Sequence, residues 1–200
     1  MNLPVFWLVG AAVTLLVLAS DADAQRRPAD FDQTVPGSTG MSSLFGFSSS
    51  PIPRTTVSYP GNHRAGTIVI NTRERRLYLM LGDGQALQYG IGVGRDGFTW
   101  SGATRVSAKR EWPDWSPPGQ MLRRRPDLPR HMPGGPENPL GARALYLGTT
   151  IYRIHGTNQP QTIGSAVSSG CFRLINPDVI DLYERTPVGT KVIVRQRPEL

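Results

Sequence analysis

The sequence predicts a mainly β domain of the α+β class, with one short helix in its C-terminal half. Three observations carry this. Gly 22 and Pro 18 together make 20% of the 200 residues, a level that interrupts helices and favours strands and turns. From residue 66 onward, apolar runs of strand length alternate with polar or Gly-bearing turns. Only residues 178–185 show a convincing helical period.

The elements follow in order. Residues 67–71 (TIVIN) and 76–80 (RLYLM) read as two strands flanking the polar turn 72–75. Gly82-Asp83-Gly84 is a second turn, and 85–93 (QALQYGIGV) a third strand, so the three form an antiparallel meander. Residues 104–111 read as a fourth strand. Residues 112–138 form a long loop without period, of the kind that is functional or mobile in compact domains. Its Trp112, Trp115, Pro117, Pro118 and Met121 suit packing over a groove. Residues 144–147 and 150–155 read as strands. Asn176 then serves as N-cap and Pro177 as first turn of a helix. Val179, Ile180, Leu182 and Tyr183 form its buried side, Pro187-Val188-Gly189 ends it, and 190–195 (TKVIVR) is a final strand.

Three segments organise the chain. Residues 5–19 are almost wholly apolar, short of the roughly 20 residues of a membrane span. With Ala22-Asp23-Ala24 behind them they read as a signal peptide, residues 1–24, cut after Ala24. No Lys or Arg precedes the apolar run, so an uncleaved signal anchor is the alternative, and the only contact with a membrane that is expected. Residues 25–63, rich in Ser, Gly, Pro and Thr, read as a flexible linker. The alternative is an arm packing through Phe31, Phe45 and Phe47. Residues 64–197 form the folded domain. The protein is therefore expected to be exported, to a periplasm or cell-wall compartment where disulfides form.

Charge and cysteine content exclude several classes. Lys+Arg 22 against Asp+Glu 15 gives +7, and 20 of the 22 are Arg. Loss of Asp21 and Asp23 with the signal leaves 22 against 13, or +9. The basic residues are scattered, so no nucleic-acid tail is indicated. The excess suits a carboxylate-bearing polymer, although a GC-rich genome gives the same Arg bias. One Cys excludes an internal disulfide framework and a Cys-based zinc cluster. His63, His131 and His155 show no paired ligand spacing, so no metal and no cofactor is expected.

The single Cys sits on a turn, Ser168-Ser169-Gly170-Cys171, just before the helix. His155 ends a strand sixteen residues earlier. Thiol catalysis needs such a pair, because a free thiol is mostly protonated at neutral pH and an imidazole can take its proton. Gly170 permits a sharp turn that exposes the sulfur, and the Gly170 and Cys171 N–H groups are candidates for an oxyanion hole. The competing reading is a small, buried, inert Cys.

At these residues the chain resembles the catalytic domain of the L,D-transpeptidases. The family motif is His-Gly or His-Ser, a spacer, then Ser/Thr-His-Gly-Cys followed one residue later by Asn or Arg. It stands here as His155-Gly156-Thr157 and Ser168-Ser169-Gly170-Cys171-Phe172-Arg173-Leu174. The run from Asn176 to Tyr183 and Val188-Gly189-Thr190-Lys191-Val192 also match, and the resemblance spans about residues 66–195. It implies a β-sandwich, with Cys171 as nucleophile, His155 as general base and Gly156 supplying the carbonyl that orients it. Substrate contacts fall on Arg173, Ser169 and Thr157, and for Arg173 pairing with an acid on the helix is an equal alternative. The implied reaction is peptidoglycan 3→3 cross-linking through a Cys thioester, with D-alanine released from a tetrapeptide stem. Water as acceptor gives a carboxypeptidase or hydrolase, and a protein amine attaches envelope proteins to the wall. A non-catalytic wall-binding module is the reading from another class. Partners are peptidoglycan stem peptides, and carbapenems are the implied inhibitors. Two departures stand out. Ser169 replaces the motif's second His, and Trp100 replaces a Pro in Thr99-Trp100-Ser101-Gly102.

Overall fold

The computed structural model describes residues 50–196, so the expected signal peptide and residues 25–49 of the expected linker lie outside the described residues. The strands are β1 (Thr55–Ser58), β2 (Ile68–Asn71), β3 (Arg76–Gly82), β4 (Gln85–Gly90), β5 (Val93–Gly94), β6 (Gly102–Glu111), β7 (Arg143–Leu147), β8 (Arg153–His155), β9 (Ala166–Ser168), β10 (Phe172–Arg173) and β11 (Lys191–Arg195). Two helices, α1 (Gly119–Arg124) and α2 (Asn176–Arg185), complete the set with one 3₁₀ turn at Pro160–Thr162. The mainly β expectation therefore holds.

The meander forms because its turns are chemically specified. Asp83 and Gly84 both take positive φ, 50° and 70°, the conformation that a two-residue hairpin loop demands and that Asp-Gly tolerates. The main sheet runs β1-β4-β3-β2-β11-β6-β7-β8-β10. Its hinge is β6. Residues Gly102 to Arg105 pair with β11, whereas Val106 to Glu111 pair with β7, and the register shifts between Val106 and Ala108. A bulge of this kind bends a strand and raises its twist.

The two halves thus fold over one core. Ile68, Ile70, Leu77 and Leu79 come from the first half, and Leu145, Leu147, Ile154 and Phe172 from the second. Val179 and Leu182 of α2 join the same cluster. In β2, period-2 alternation sends Val69 to the opposite face, where it meets Tyr78, Met80 and Ala86. Both faces of β2 are buried, which is why TIVIN reads as an unbroken apolar run.

The end of the expected linker is corrected. Residues Thr55 to Ser58 pair antiparallel with Gln85 to Gln88, so the folded domain includes β1. The segment was hidden because only Val57 of the four is even half-buried, as suits an edge strand. Just before it, Ile52 fills a notch made by two glycines. A Cβ on Gly90 would lie 2.5 Å from Ile52 Cβ, and one on Gly164 3.1 Å from Ile52 Cδ1.

Three further expectations change. The run 85–93 is two strands, since the chain leaves β4 at Ile91 and Val93–Gly94 pairs parallel with β9. The 112–138 loop contains α1 and is tied by Asn138, whose Nδ2 donates to the carbonyls of Pro113 (3.1 Å) and Pro133 (2.9 Å). Asn176 is the first residue of α2, not its cap, and Ile175 holds the cap position.

Candidate active site

Two short parallel strands build the site. In β8 and β10, Phe172 lies opposite Ile154 and Arg173 opposite His155. Leu174 N–H continues the ladder to the His155 carbonyl at 2.9 Å. Ile154 and Phe172 point into the core. Alternation then puts Arg153, His155, Cys171 and Arg173 together on the other face. The fifteen residues between His155 and Cys171 are closed into proximity by this pairing.

His155 is buried, at 5% exposure. Its Nδ1 lies 2.7 Å from the Gly156 carbonyl. A carbonyl accepts only, so Nδ1 carries the proton and Nε2 keeps its lone pair. Burial is the main cause that brings the imidazole pKa down to about 3, opposed by the Gly156 and Leu140 carbonyls and helped by the Arg173 and Arg153 cations. His155 is neutral at rest. Cys171 is half-buried, and burial pushes its thiol pKa up against the pull of Arg153 and Arg173.

The Gly170 turn is sterically fixed. Its φ is 106°, and a Cβ there would lie 2.5 Å from Tyr152 Cε1 and 3.0 Å from the Phe98 carbonyl oxygen. Trp100, the departure from the motif, stacks on Tyr152 at 4.9 Å and so braces this turn from behind. One expectation is corrected here: Gly170 N–H donates to Ser168 Oγ at 3.1 Å, which removes it from the oxyanion hole. Ser168 Oγ in turn donates to the Cys171 carbonyl at 2.7 Å. Ser168 was not singled out, though its position in the Ser-Ser-Gly-Cys turn was the available signal. Ser169 is half-buried beside it.

Arg173 has no acid. Among the described residues no carboxylate pairs with it, and its Nε and Nη2 are buried without a partner. On the helix, Asp181 is taken by Arg54 (3.0 Å) and Arg185 (3.0 Å), and Asp178 has Arg54 at 3.9 Å. Thr157 is 3% exposed, and its hydroxyl accepts from Gln159 N–H at 3.0 Å. That burial reassigns it from substrate contact to shaping the loop.

Asn176 was missed as a site residue. Its Oδ1 accepts from Ala142 N–H at 2.9 Å and Thr157 N–H at 3.3 Å. Glycine is required on both sides of it, because a Cβ on Gly141 or on Gly156 would lie 2.3 Å from that oxygen. One amide therefore fixes the loop whose Gly156 carbonyl orients His155.

A bent β sheet with a His-Gly strand end beside a Ser-Gly-Cys turn defines the class of L,D-transpeptidase-like domains. The family model for YkuD, the L,D-transpeptidase catalytic domain, matches residues 65–194. Probable L,D-transpeptidase ErfK/SrfK of Escherichia coli K12 is 40% identical over 148 residues, which are 70% of this chain and 46% of that protein. A Brucella melitensis structure described as a probable carnitine operon oxidoreductase is 46% identical, with TM-score 0.50 over 74% of this chain and 96% of that one. The structure of L,D-transpeptidase LdtMt1 in complex with imipenem shares the fold at 14% identity, with TM-score 0.51 over 66% and 59% of the two chains. The chain belongs to the L,D-transpeptidase catalytic domain family. It spans about half the length of the curated relatives it matches.

Proposed function

We propose that the protein is an exported peptidoglycan L,D-transpeptidase that works through a Cys171 thioester. The observation that carries this is the strand register that sets His155 and Cys171 on one face, with His155 Nδ1 held by the Gly156 carbonyl so that Nε2 is the ring's acceptor.

Both groups start neutral, so proton transfer accompanies attack instead of preceding it. The Cys171 sulfur adds to the carbonyl that joins the diamino acid of a tetrapeptide stem to its terminal D-alanine. Its proton passes to His155 Nε2. The tetrahedral oxyanion is met by the Cys171 N–H, the donor left from the expected pair. Collapse breaks the peptide bond, and His155 returns the proton to the leaving D-alanine amine. A thioester remains. The side-chain amine of a second stem then attacks it, losing its proton to His155, and the 3→3 cross-link forms as the thiol is restored.

Arg173 is assigned to a stem carboxylate. Its unpartnered buried nitrogens support this, since a carboxylate from the substrate completes the bonds that no protein acid supplies. The signal peptide expected at residues 1–24 supports a place beside that substrate, in the periplasm or wall.

The test incubates the purified protein with disaccharide tetrapeptide and reads products by mass spectrometry. Cross-linked dimer with equimolar D-alanine is expected. Tripeptide with D-alanine and no dimer assigns water as acceptor, and absence of both from folded protein refutes the chemistry. Imipenem is expected to leave a mass adduct on wild type and none on Cys171→Ala.

A further inference from the structure

Burial leaves the thiol with a difficulty that His155 alone does not solve. An imidazole held this far below its ordinary pKa is a weak base, and the thiol beside it is held above its own. A negative sulfur forming here needs a nearby positive charge.

The strand register supplies one. With Phe172 opposite Ile154, Cys171 comes beside Arg153 on the shared face. The two side chains converge on a single oxygen. Arg153 Nη1 donates to the Ile151 carbonyl at 3.3 Å, and the Cys171 thiol is directed at the same carbonyl at 3.9 Å. The guanidinium lies over the Tyr146 ring, 5.1 Å from its centre, which fixes its plane. Its Nε is buried with no partner, and among the described residues no carboxylate pairs with it. Arg153 is thus a cation held in place next to the sulfur with its charge uncompensated by the protein.

We propose that Arg153 is a catalytic residue that stabilises the Cys171 thiolate as the proton leaves for His155. The proposal rests on Cys171 being the nucleophile and on no other part of the transpeptidase reading. When Sγ–H breaks, the proton passes to His155 Nε2, and the bonding pair stays on sulfur beside the fixed guanidinium. The other groups facing the sulfur are Arg173 from β10, His155 at the end of β8 and the Tyr152 ring against Gly170. Arg173 stands opposite His155, one pair further along the ladder, so its pull on the sulfur is the weaker. The same order appears in the thiol's electrostatics, where Arg153 opposes burial through its backbone N–H first and then its guanidinium, and Arg173 comes after both.

Alkylation of Cys171 by iodoacetamide across pH tests this on the full chain, without any peptidoglycan substrate. Arg153→Met is expected to raise the midpoint of the rate profile by about one pH unit. The thiolate fraction at neutral pH then falls about tenfold, and the rate about threefold, because a more basic thiolate is the better nucleophile. Arg153→Gln keeps a donor for the Ile151 carbonyl, and with it the fold, while removing the charge. It must give the same shift. Arg173→Met is expected to shift the midpoint less than either. A profile for folded Arg153→Gln that superimposes on wild type overturns the proposal. So does a variant with unchanged profile whose only defect is a raised KM for tetrapeptide, since Arg153 would then serve a substrate carboxylate. Failure to cross-link with the profile shifted as expected strikes the transpeptidase reading and leaves Arg153 standing.

Discussion

Two charged clusters flank the end of β10, and they are built on opposite principles. On α2, the Asp181 carboxylate is answered on every side. Asp181 takes Tyr89 OH at 2.6 Å, Arg54 at 3.0 Å and Arg185 through two 3.0 Å bonds. On the His155–Cys171 face, Arg153 and Arg173 have buried nitrogens with no acid opposite. A polar cluster that serves the fold closes on itself, since an unanswered buried charge is costly. A cluster that leaves cations open keeps that cost because something from outside, or something formed in the reaction, answers it. The contrast separates Arg173 from Arg185 more sharply than sequence position does.

The largest expected effect breaks the open side. Cys171→Ala should abolish turnover, by at least about 10³-fold, and leave the melting temperature within about a degree, since a half-buried thiol contributes little packing. Product formation and a thermal melt check both halves.

Next comes the amide that joins the two sides. Asn176→Ala removes the acceptor for Ala142 and Thr157 N–H groups and loosens the Gly156 carbonyl. A fall in kcat of about 10- to 100-fold is expected with KM little changed, as for a misplaced catalytic group. Asn176→Asp keeps the oxygen and should recover most of it. The ¹⁵N shifts of the His155 ring would report loss of the fixed tautomer in Asn176→Ala.

Beside that closed cluster, Asp178 keeps a buried Oδ2 with no partner, and it is probed through pH. Burial is the main cause that raises the Asp178 carboxyl to about 6, against the pull of Arg54. Unfolded Asp titrates near 4. Between these values the folded chain holds a proton that the unfolded chain has lost. Stability contributed by Asp178 is therefore full below about pH 4 and is lost as pH rises through about 6. The amplitude is on the order of 2–3 kcal/mol. Asp178→Asn should flatten the stability curve in that window and be neutral or stabilising at pH 7, as read by urea denaturation. The smallest effect belongs to Tyr89→Phe. It removes one bond to Asp181 and should cost about 1–2 kcal/mol with no change in kcat.

The site was legible where its chemistry is local and opaque where it is reached through space. His155 and Cys171 stand out because a lone Cys on a Gly-Ser turn, behind an expected signal peptide, is itself unusual. Asn176 misled, since Asn before Pro at a helix start is the pattern of a cap, and nothing nearby in the chain signals that its oxygen bonds residues 142 and 157. Gly170 N–H was assigned by the turn it sits in, but Ser168 Oγ competes for it two residues away. The strands β5, β9 and β10 are two or three residues long, too short to show a period. Arg153 is an ordinary strand residue until the β8–β10 register sets it beside the sulfur.

The Ile52 wedge has a mechanical consequence. Ile52 sits in the Gly90–Gly164 notch, and β1 lies antiparallel along β4 directly after it. Tension arriving along the chain from residue 50 meets that wedge before it loads the β1–β4 hydrogen bonds in shear. Gly164 is seven residues from Cys171.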